Sequence, residues 1–256
     1  MSGPVEYDLQ AGCARLTLSA PDRGNALDAA SAGALLAAVQ QAGRDGARVI
    51  LLRAQGRFFC VGGDLAAFAG SDDVGGYVDD LAETLHRTVS ELTRSPAVVV
   101  SAVQGAAAGA GFPLAAAADV VLAARSASFG LGYGRVGLSV DGGTTLLTQT
   151  LGLHRTLRLA LLGDRLTAAE AHDAGLVARV VEDDGLDAAS EEVVASLLAG
   201  SASAAARTKA LLREGLGVVP EALMREETLA IRALVESPDG REGVRAFLAK
   251  EPPAFG

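Results

Sequence analysis

The sequence contains no tryptophan, few other aromatic residues and only two cysteines, Cys13 and Cys60. Aromatic side chains make up 4% of the chain, so few are available to stack on nucleic-acid bases. The 31 acidic residues outnumber the 22 Lys and Arg, and the resulting net charge of -9 repels phosphate backbones. Two cysteines cannot form a disulfide framework, and no charged-then-apolar leader opens the chain. We therefore expect a cytoplasmic protein that does not bind nucleic acid.

One uncharged run, residues 95–118 (SPAVVVSAVQGAAAGAGFPLAAAA), is long enough to span a bilayer in principle. Pro96, Gln104, Gly105 and Pro113 interrupt any continuous helix, and the backbone groups that they free would be unpaired in lipid. A buried strand, a glycine turn and a buried helix explain the same residues. The sequence therefore predicts no membrane partner.

Strand and helix patterns alternate through the first half of the chain, which predicts an α/β fold with parallel strands. After about residue 144 the pattern becomes mostly helical, with one further strand at 176–181. We place a soft boundary near residue 200, between a core (1–200) that carries the site and a C-terminal helical region (201–256). The predicted strands are 14–18, 48–53, 97–103 and 120–123, and the helices between them are 25–43, 64–69, 76–94 and 112–118.

Two glycine-containing turns, residues 60–65 (CVGGDL) and 105–114 (GAAAGAGFPL), each join a strand to a helix. Such turns expose backbone N–H groups at a helix start, where no partner exists within the helix. Two of these groups that converge on one point would form an oxyanion hole for a carbonyl that becomes an enolate or a tetrahedral anion. From spacing alone, a pair of ordinary tight turns is the alternative interpretation.

These segments resemble the crotonase (enoyl-CoA hydratase/isomerase) superfamily, and the similarity runs in order along nearly the whole chain. The resemblance implies a spiral of ββα turns with a C-terminal helical trimerisation region, assembled as a homotrimer or a hexamer. It also implies an acyl-CoA thioester as the substrate, with coenzyme A as part of that substrate, no separate cofactor and no metal. The motifs that carry it are 22–27 (DRGNAL), 56–65 (GRFFCVGGDL), 96–119, 129–130 (FG), 141–143 (DGG), 174–177 (AGLV) and 241–256 (REGVRAFLAKEPPAFG).

Carried over by motif, the resemblance places the two oxyanion donors at the backbone N–H groups of Gly63 and Ala110. It places Phe247 and Lys250 where they can reach the CoA of a neighbouring subunit, and Lys250 would offer a cation to a CoA phosphate. The other residues that it assigns to CoA or acyl binding are Arg23, Ala26, Leu27, Gly62, Asp64, Leu65, Gly109, Pro113 and Tyr133.

The reaction is a separate question, because the hydratases of this family use two glutamates. Pro113 and Tyr133 stand at those positions, and a phenol with an ordinary pKa of about 10 is a poor base. The remaining carboxylate is Asp141, in a loop (GLSVDGG) that resembles the segment of family isomerases in which an acid moves a proton between carbons. We therefore favour an enoyl-CoA isomerase with Asp141 as its single base. An atypical hydratase and a non-catalytic acyl-CoA binding protein are the alternatives, and Asp141 could instead cap the following helix.

The other chemically capable side chains are interpreted as structural. His86 lies beside the apolar face of the 76–94 helix, and a surface position is favoured over one that faces the pocket. Cys60 is interpreted as a packed small residue, Asp64 as a helix cap and Asp119 as structural. Among the acidic residues, only Asp141 is predicted to be catalytic.

Overall fold

The computed structural model describes residues 3–217 and 220–255, so Gly256, the last residue of the closing motif, lies outside the described residues. The main sheet has six strands in the order β1-β2-β3-β4-β6-β9. Its members are β1 (Val5–Gln10), β2 (Cys13–Leu18), β3 (Val49–Ala54), β4 (Val98–Val103), β6 (Val120–Ala124) and β9 (Arg179–Val181). Within this sheet β2, β3, β4, β6 and β9 pair in parallel, and β1 pairs antiparallel with β2.

The four strands predicted in the first half are therefore confirmed, together with their parallel pairing. Strand β1 was missed because its sequence, VEYDLQ, is half polar and lies at an edge of the sheet, where solvent reaches its polar residues. The prediction for 176–181 was too long. The N–H groups of Leu176 and Val177 turn back to bond the carbonyl of Ala171, so only residues 179–181 pair with β6.

A second, three-stranded sheet consists of β5 (Ala106–Ala108), β7 (Ser128–Gly130) and β8 (Arg165–Thr167). Each strand has three residues, which is too short for a period-two pattern to be visible in the sequence. Strand β5 follows β4 directly and pairs in parallel with β7. Gly105 and Gly109 of the second glycine turn flank β5.

Eleven α-helices are found in the described residues: α1 (Ala29–Arg44), α2 (Leu65–Ala69), α3 (Val74–Arg94), α4 (Gly111–Ala116), α5 (Leu147–Leu151), α6 (Leu153–Leu162), α7 (Ala168–Asp173), α8 (Leu186–Ala199), α9 (Ala202–Glu214), α10 (Pro220–Val235) and α11 (Pro238–Ala249). Helix α1 begins four residues later than predicted. Asn25 has a φ of 55°, and its side chain bonds the backbone of Ala20, Gln55 and Phe58 instead. Asp28 then forms a capping box with Ser31.

Helix α3 has the apolar face that its sequence predicts, and this face is buried. The helix packs against α1 on one side and α10 on the other. The face consists of Val78, Leu81, Leu85, Val89 and Leu92. Helix α10, from the C-terminal region, thus reaches the core that carries the glycine turns, while the boundary near residue 200 stays a prediction.

The uncharged run 95–118 forms the predicted strand (β4) and helix (α4), and the predicted glycine turn between them also contains the short strand β5. In the part of the chain that the structure describes, no helix is both long and apolar enough to cross a membrane. The architecture is a mixed α/β fold with a mostly parallel sheet and C-terminal helices, in agreement with the predicted class.

Candidate active site

The two glycine turns lie against each other. Cys60 N donates to the carbonyl of Ala106 over 3.2 Å, and Ala108 N donates to the carbonyl of Cys60 over 2.8 Å. Gly62 has a φ of 98°, and a Cβ at this position would lie 3.0 Å from the Ala108 carbonyl oxygen. Glycine is therefore required here both by conformation and by the close approach of the second turn.

This packing brings the two predicted oxyanion donors to one cavity. Gly63 and Ala110 both line it. Within residues 3–217 and 220–255, neither the Gly63 N–H nor the Ala110 N–H donates to a protein acceptor. The neighbouring groups are paired, since Leu27 N donates to Gly62 O and Asp64 N donates to Leu27 O. A cavity lined by two residues with unpaired N–H groups suits an anionic oxygen.

The cavity has a volume of about 50 Å³ and is mostly apolar. Asp141 is the only carboxylate among the described residues that line it, and Tyr133 is the only other lining side chain that ionises. Helices α3 and α10 both contribute to its walls. The remaining lining residues are Leu27, Phe68, Val78, Leu81, Ala82, Leu85, Leu138 and Ile231.

Hydrogen bonds to its backbone carbonyl hold Asp141 in place. Its carbonyl accepts hydrogen bonds from the Tyr133 hydroxyl over 2.9 Å and from Thr144 Oγ1 over 2.7 Å. The following 3-10 turn, Thr144–Leu146, begins at Gly143 without a side-chain cap, so the capping alternative for Asp141 is wrong. The carboxylate is 7% exposed, and its Oδ1 has no aligned hydrogen bond to any described residue.

His86 lies next to this carboxylate, so the favoured surface position is wrong. The side chain points from α3 into the protein and is 4% exposed. Its Nε2 lies 2.9 Å from Asp141 Oδ1 and 3.5 Å from Glu227 Oε2. Its Nδ1 lies 3.1 Å from the Thr228 hydroxyl. His86 follows Leu85 in the apolar face, but the sequence does not show that helix α10 covers this edge of α3.

Glu227 is a functional candidate that the sequence analysis missed. It comes from α10 and is 3% exposed. Its two oxygens accept hydrogen bonds from Gly143 N and Thr145 N, each over 2.7 Å. Glu227 follows Met224 and precedes Ile231, two buried residues at helical spacing, and this position on an apolar stripe was the available signal.

Burial and the neighbouring groups shift the pKa values of His86 and Glu227 in opposite directions. Burial disfavours the charged imidazole of His86, but Asp141 and Glu227 outweigh that effect and raise its pKa to about 9. Burial likewise opposes ionisation of Glu227, but hydrogen bonds from His86, Thr145 and Gly143 hold its pKa below the ordinary value. Burial and the nearby carboxylates raise the pKa of Tyr133 well above its ordinary value. These directions favour a protonated His86, an ionised Glu227 and a neutral Tyr133 at neutral pH.

His86, Asp141 and Glu227 also form the only group of three His, Cys, Asp or Glu ligands within 4.8 Å of one another that occurs among the described residues. A metal would require a neutral imidazole with a free lone pair. Here Nε2 of His86 lies 3.1 Å from Gly142 N, and both oxygens of Glu227 already accept backbone hydrogen bonds. We interpret the group as a charge-compensated cluster.

The other predicted binding residues lie in or near the two glycine turns or farther from the cavity. Arg23 is exposed and forms ion pairs with Asp28 and Asp64, at 2.8 and 2.9 Å. Asp64 caps α2, as predicted, through hydrogen bonds from Ala66 N and Ala67 N. Ala26 and Leu27 are buried in the turn before α1, Gly109 and Leu65 are half-buried, and Pro113 is buried in α4 but is not among the described residues that line the cavity.

Phe247 and Lys250 lie at the end of α11, and both are exposed. Lys250 ends the helix in the left-handed conformation, with a φ of 58°. Neither residue lines the cavity within this chain, so their assignment to the CoA of a neighbouring subunit stays a prediction. Asp119 is structural, as predicted, because it forms ion pairs with Lys209 and Arg213.

Comparison with known proteins identifies the family. The model of the family described as enoyl-CoA hydratase/isomerase matches residues 8–256, nearly the whole chain. The chain belongs to the enoyl-CoA hydratase/isomerase family. A probable enoyl-CoA hydratase of Rhodobacter capsulatus is 38% identical over 252 residues, covering 98% of this chain and 97% of that protein. The 1,2-epoxyphenylacetyl-CoA isomerase of Escherichia coli is 35% identical and covers 96% of each chain.

The fold of this family member agrees with solved structures. The crystal structure of an enoyl-CoA hydratase from Mycobacterium avium subsp. paratuberculosis superposes with a TM-score of 0.90 at 32% identity, over 99% of this chain and 98% of that one. The predicted membership of the crotonase superfamily and its fold are therefore confirmed. Because both hydratases and isomerases occur among the similar proteins, family membership alone does not select the reaction.

Proposed function

We propose that this family member is an enoyl-CoA isomerase that moves a double bond by transferring one proton. The observation that carries the proposal is the cavity, which is lined by Asp141 and by Gly63 and Ala110, two residues whose backbone N–H groups are unpaired among the described residues. A 1,3-proton shift needs one base and an oxyanion hole, whereas the hydration of family enzymes uses two carboxylates. Within the described residues, the cavity wall has one carboxylate.

The proposed reaction begins when Asp141 removes a proton from C2 of a 3-enoyl thioester. The electrons of the C–H bond form a dienolate, and its oxygen accepts hydrogen bonds from Gly63 N and Ala110 N. Asp141 then returns the proton to C4, so the double bond moves into conjugation with the thioester. No water is consumed, and the carboxylate is regenerated.

Two features of the site support this step. Asp141 Oδ1 is buried without an aligned hydrogen bond to a described residue, so a lone pair is available for a proton. Tyr133 cannot replace it, because burial raises the pKa of the phenol and its hydroxyl already donates to the Asp141 carbonyl. A hydratase that uses Tyr133 as its base is therefore disfavoured.

Two similar proteins carry the name of an isomerase. Besides the E. coli 1,2-epoxyphenylacetyl-CoA isomerase, a trans-2-decenoyl-[acyl-carrier-protein] isomerase of Streptococcus mutans is 32% identical and covers 98% of this chain. We further propose that the CoA carrier passes the turn of Arg23, Ala26 and Leu27. Lys250 of a second copy, in a trimer or hexamer, would contact the CoA phosphates.

The test compares Asp141→Asn with the control Asp173→Asn, which changes an exposed aspartate at the end of α7. The substrate is a 3-enoyl-CoA, and the readout is the absorbance gained as the double bond becomes conjugated with the thioester. Loss of the base should lower kcat about 10²- to 10⁴-fold, while the control keeps wild-type activity.

Three outcomes would reject the proposal. Undiminished isomerisation by Asp141→Asn would show that Asp141 is not the base. Hydration of a 2-enoyl-CoA by the wild-type protein, without isomerisation, would indicate a hydratase. Calorimetric binding of acyl-CoA, with no turnover and no exchange of C2 or C4 protons in deuterated water, would indicate a binding protein.

A further inference from the structure

We propose that His86 and Glu227 are positioning residues that hold the Asp141 turn and set the charge balance around its carboxylate. The inference rests on the proposed function, in which Asp141 is the base. Neither side chain lines the cavity, so each would act through Asp141 and not on the substrate. The two residues come from α3 and α10, which are 141 positions apart at this point of contact.

The first part of the proposal is the backbone of the turn. Gly142 and Gly143 have φ values of 74° and 90°, a conformation that other residues rarely adopt. Glu227 spans the turn, because its two oxygens accept from Gly143 N and from Thr145 N. One buried carboxylate thereby pairs the N–H groups of the buried Gly143 and the half-buried Thr145, shortly after Asp141.

The second part of the proposal concerns the charge of the His86 imidazole. Nε2 lies between Gly142 N, at 3.1 Å, and Asp141 Oδ1, at 2.9 Å. If the ring is neutral with its proton on Nδ1, Nε2 accepts a hydrogen bond from Gly142 N. If the ring is protonated, Nε2–H is directed to the carboxylates. We favour the protonated ring at neutral pH, because two buried carboxylates within 3.5 Å would otherwise be uncompensated.

The environment of Nδ1 indicates that this nitrogen carries a proton, as it does both in the protonated ring and in the neutral Nδ1–H tautomer. Thr228 Oγ1 lies 3.3 Å from Met224 O and 3.1 Å from Nδ1. A hydroxyl that donates to the Met224 carbonyl can accept from Nδ1–H. The titratable groups that face His86 are Asp141 from the turn and Glu227 from α10, and Tyr133 lies near both carboxylates as a neutral phenol.

The charges give the two residues opposite effects on the base. The His86 cation attracts the negative charge of the base, whereas the Glu227 anion repels it. Asp141 Oδ1 is near the cation without an aligned hydrogen bond, so it can still accept the substrate proton. A residue that only supported the fold would change stability but would not move the pH dependence in a direction set by its charge.

The experiment measures kcat/KM for 3-enoyl-CoA isomerisation against pH in His86→Gln and Glu227→Gln. We expect the apparent pKa of the acidic limb to rise by about one unit or more in His86→Gln, and to fall in Glu227→Gln. Both variants should lower kcat while KM changes little. The controls are His154→Gln and Glu226→Gln, both exposed, and their pH profiles should match the wild type.

Shifts in the same direction, or no shift in either variant, would overturn the inference. That result is distinguishable from failure of the proposed function. If Asp141→Asn retains the acidic limb and wild-type turnover, the base assignment fails; if Asp141→Asn is inactive and the two other variants keep the wild-type profile, only the positioning role fails.

A measurement without turnover tests the charge of His86 in the wild-type protein. The chain has three histidines, so the His86 imidazole signal in a nuclear magnetic resonance titration is identified by its absence from His86→Gln. We expect a titration near pH 9 that moves to lower pH in Glu227→Gln. A wild-type His86 that titrates at or below its ordinary value of about 6.5 would overturn the inference even if the variants fail to fold.

Discussion

Gly142 packs directly against Ala110. A Cβ at Gly142 would lie 3.0 Å from the Cβ of Ala110 and 3.1 Å from its Cα. The residue after the proposed base thus touches the residue that supplies the second oxyanion donor. The spacing between the carboxylate and the donor therefore depends on a glycine at position 142.

Gly142→Ala should lower isomerase activity by about tenfold or more, because the added methyl group pushes the Asp141 turn away from Ala110. It should also lower the free energy of unfolding by about 1–2 kcal/mol through the unfavourable φ of 74°. The matched control is Gly175→Ala, at a φ of 82° with no atom within 4 Å of the new Cβ. Equal loss of kcat in both variants would contradict the packing argument.

His86 should make stability depend on pH above neutrality. Its folded-state pKa of about 9 exceeds the ordinary 6.5, so its contribution is complete below pH 6.5, falls between pH 6.5 and 9, and is lost above pH 9. The shift corresponds to roughly 3 kcal/mol. Urea unfolding at pH 6.5 and 9.5 should show this extra loss in the wild type relative to His86→Gln. Parallel pH curves for the two proteins would be the contrary result.

Lys209 should matter for stability and not for the chemistry. It is buried on α9, forms an ion pair with Asp119 at 2.8 Å, and donates to the carbonyls of Leu92 and Ala97. Lys209→Met should cost about 3 kcal/mol of unfolding free energy, because these buried acceptors lose their donor. Arg207→Met, an exposed change on the same helix, should cost less than about 0.5 kcal/mol. A stable Lys209→Met protein in chemical denaturation would show that α9 is held by other contacts.

The two cysteines should be unreactive in the folded protein. Both are buried, and burial raises the pKa of Cys60 to about 12 and that of Cys13 above its ordinary value. Because the thiolate is the reactive form, neither should be alkylated by iodoacetamide at neutral pH. Both should react after denaturation. Mass spectrometry of the labelled protein measures this, and rapid labelling of native Cys60 would contradict the buried, packed position beside the first glycine turn.

The sequence predicted an element correctly where the residues of that element alone restrict its structure. The apolar stripe of α3, the mostly apolar β4 and the glycines at 62 and 109 each have a physical requirement that is visible within a few residues. The bounds failed where a long-range contact competes with local propensity. Asn25 is the example: its side chain bonds Gln55 O and Phe58 O, and this delays the start of α1.

The sequence by itself determined the family resemblance, the parallel strands, the two glycine turns and Asp141 as a candidate base. These follow from short segments whose residue types are restricted by backbone geometry or by burial. Only the tertiary structure decided that His86 is buried, that Glu227 joins it, and that Gly142 touches Ala110. Helices α3 and α10 are distant in the chain, so the charges that surround Asp141 meet only when the two helices pack together.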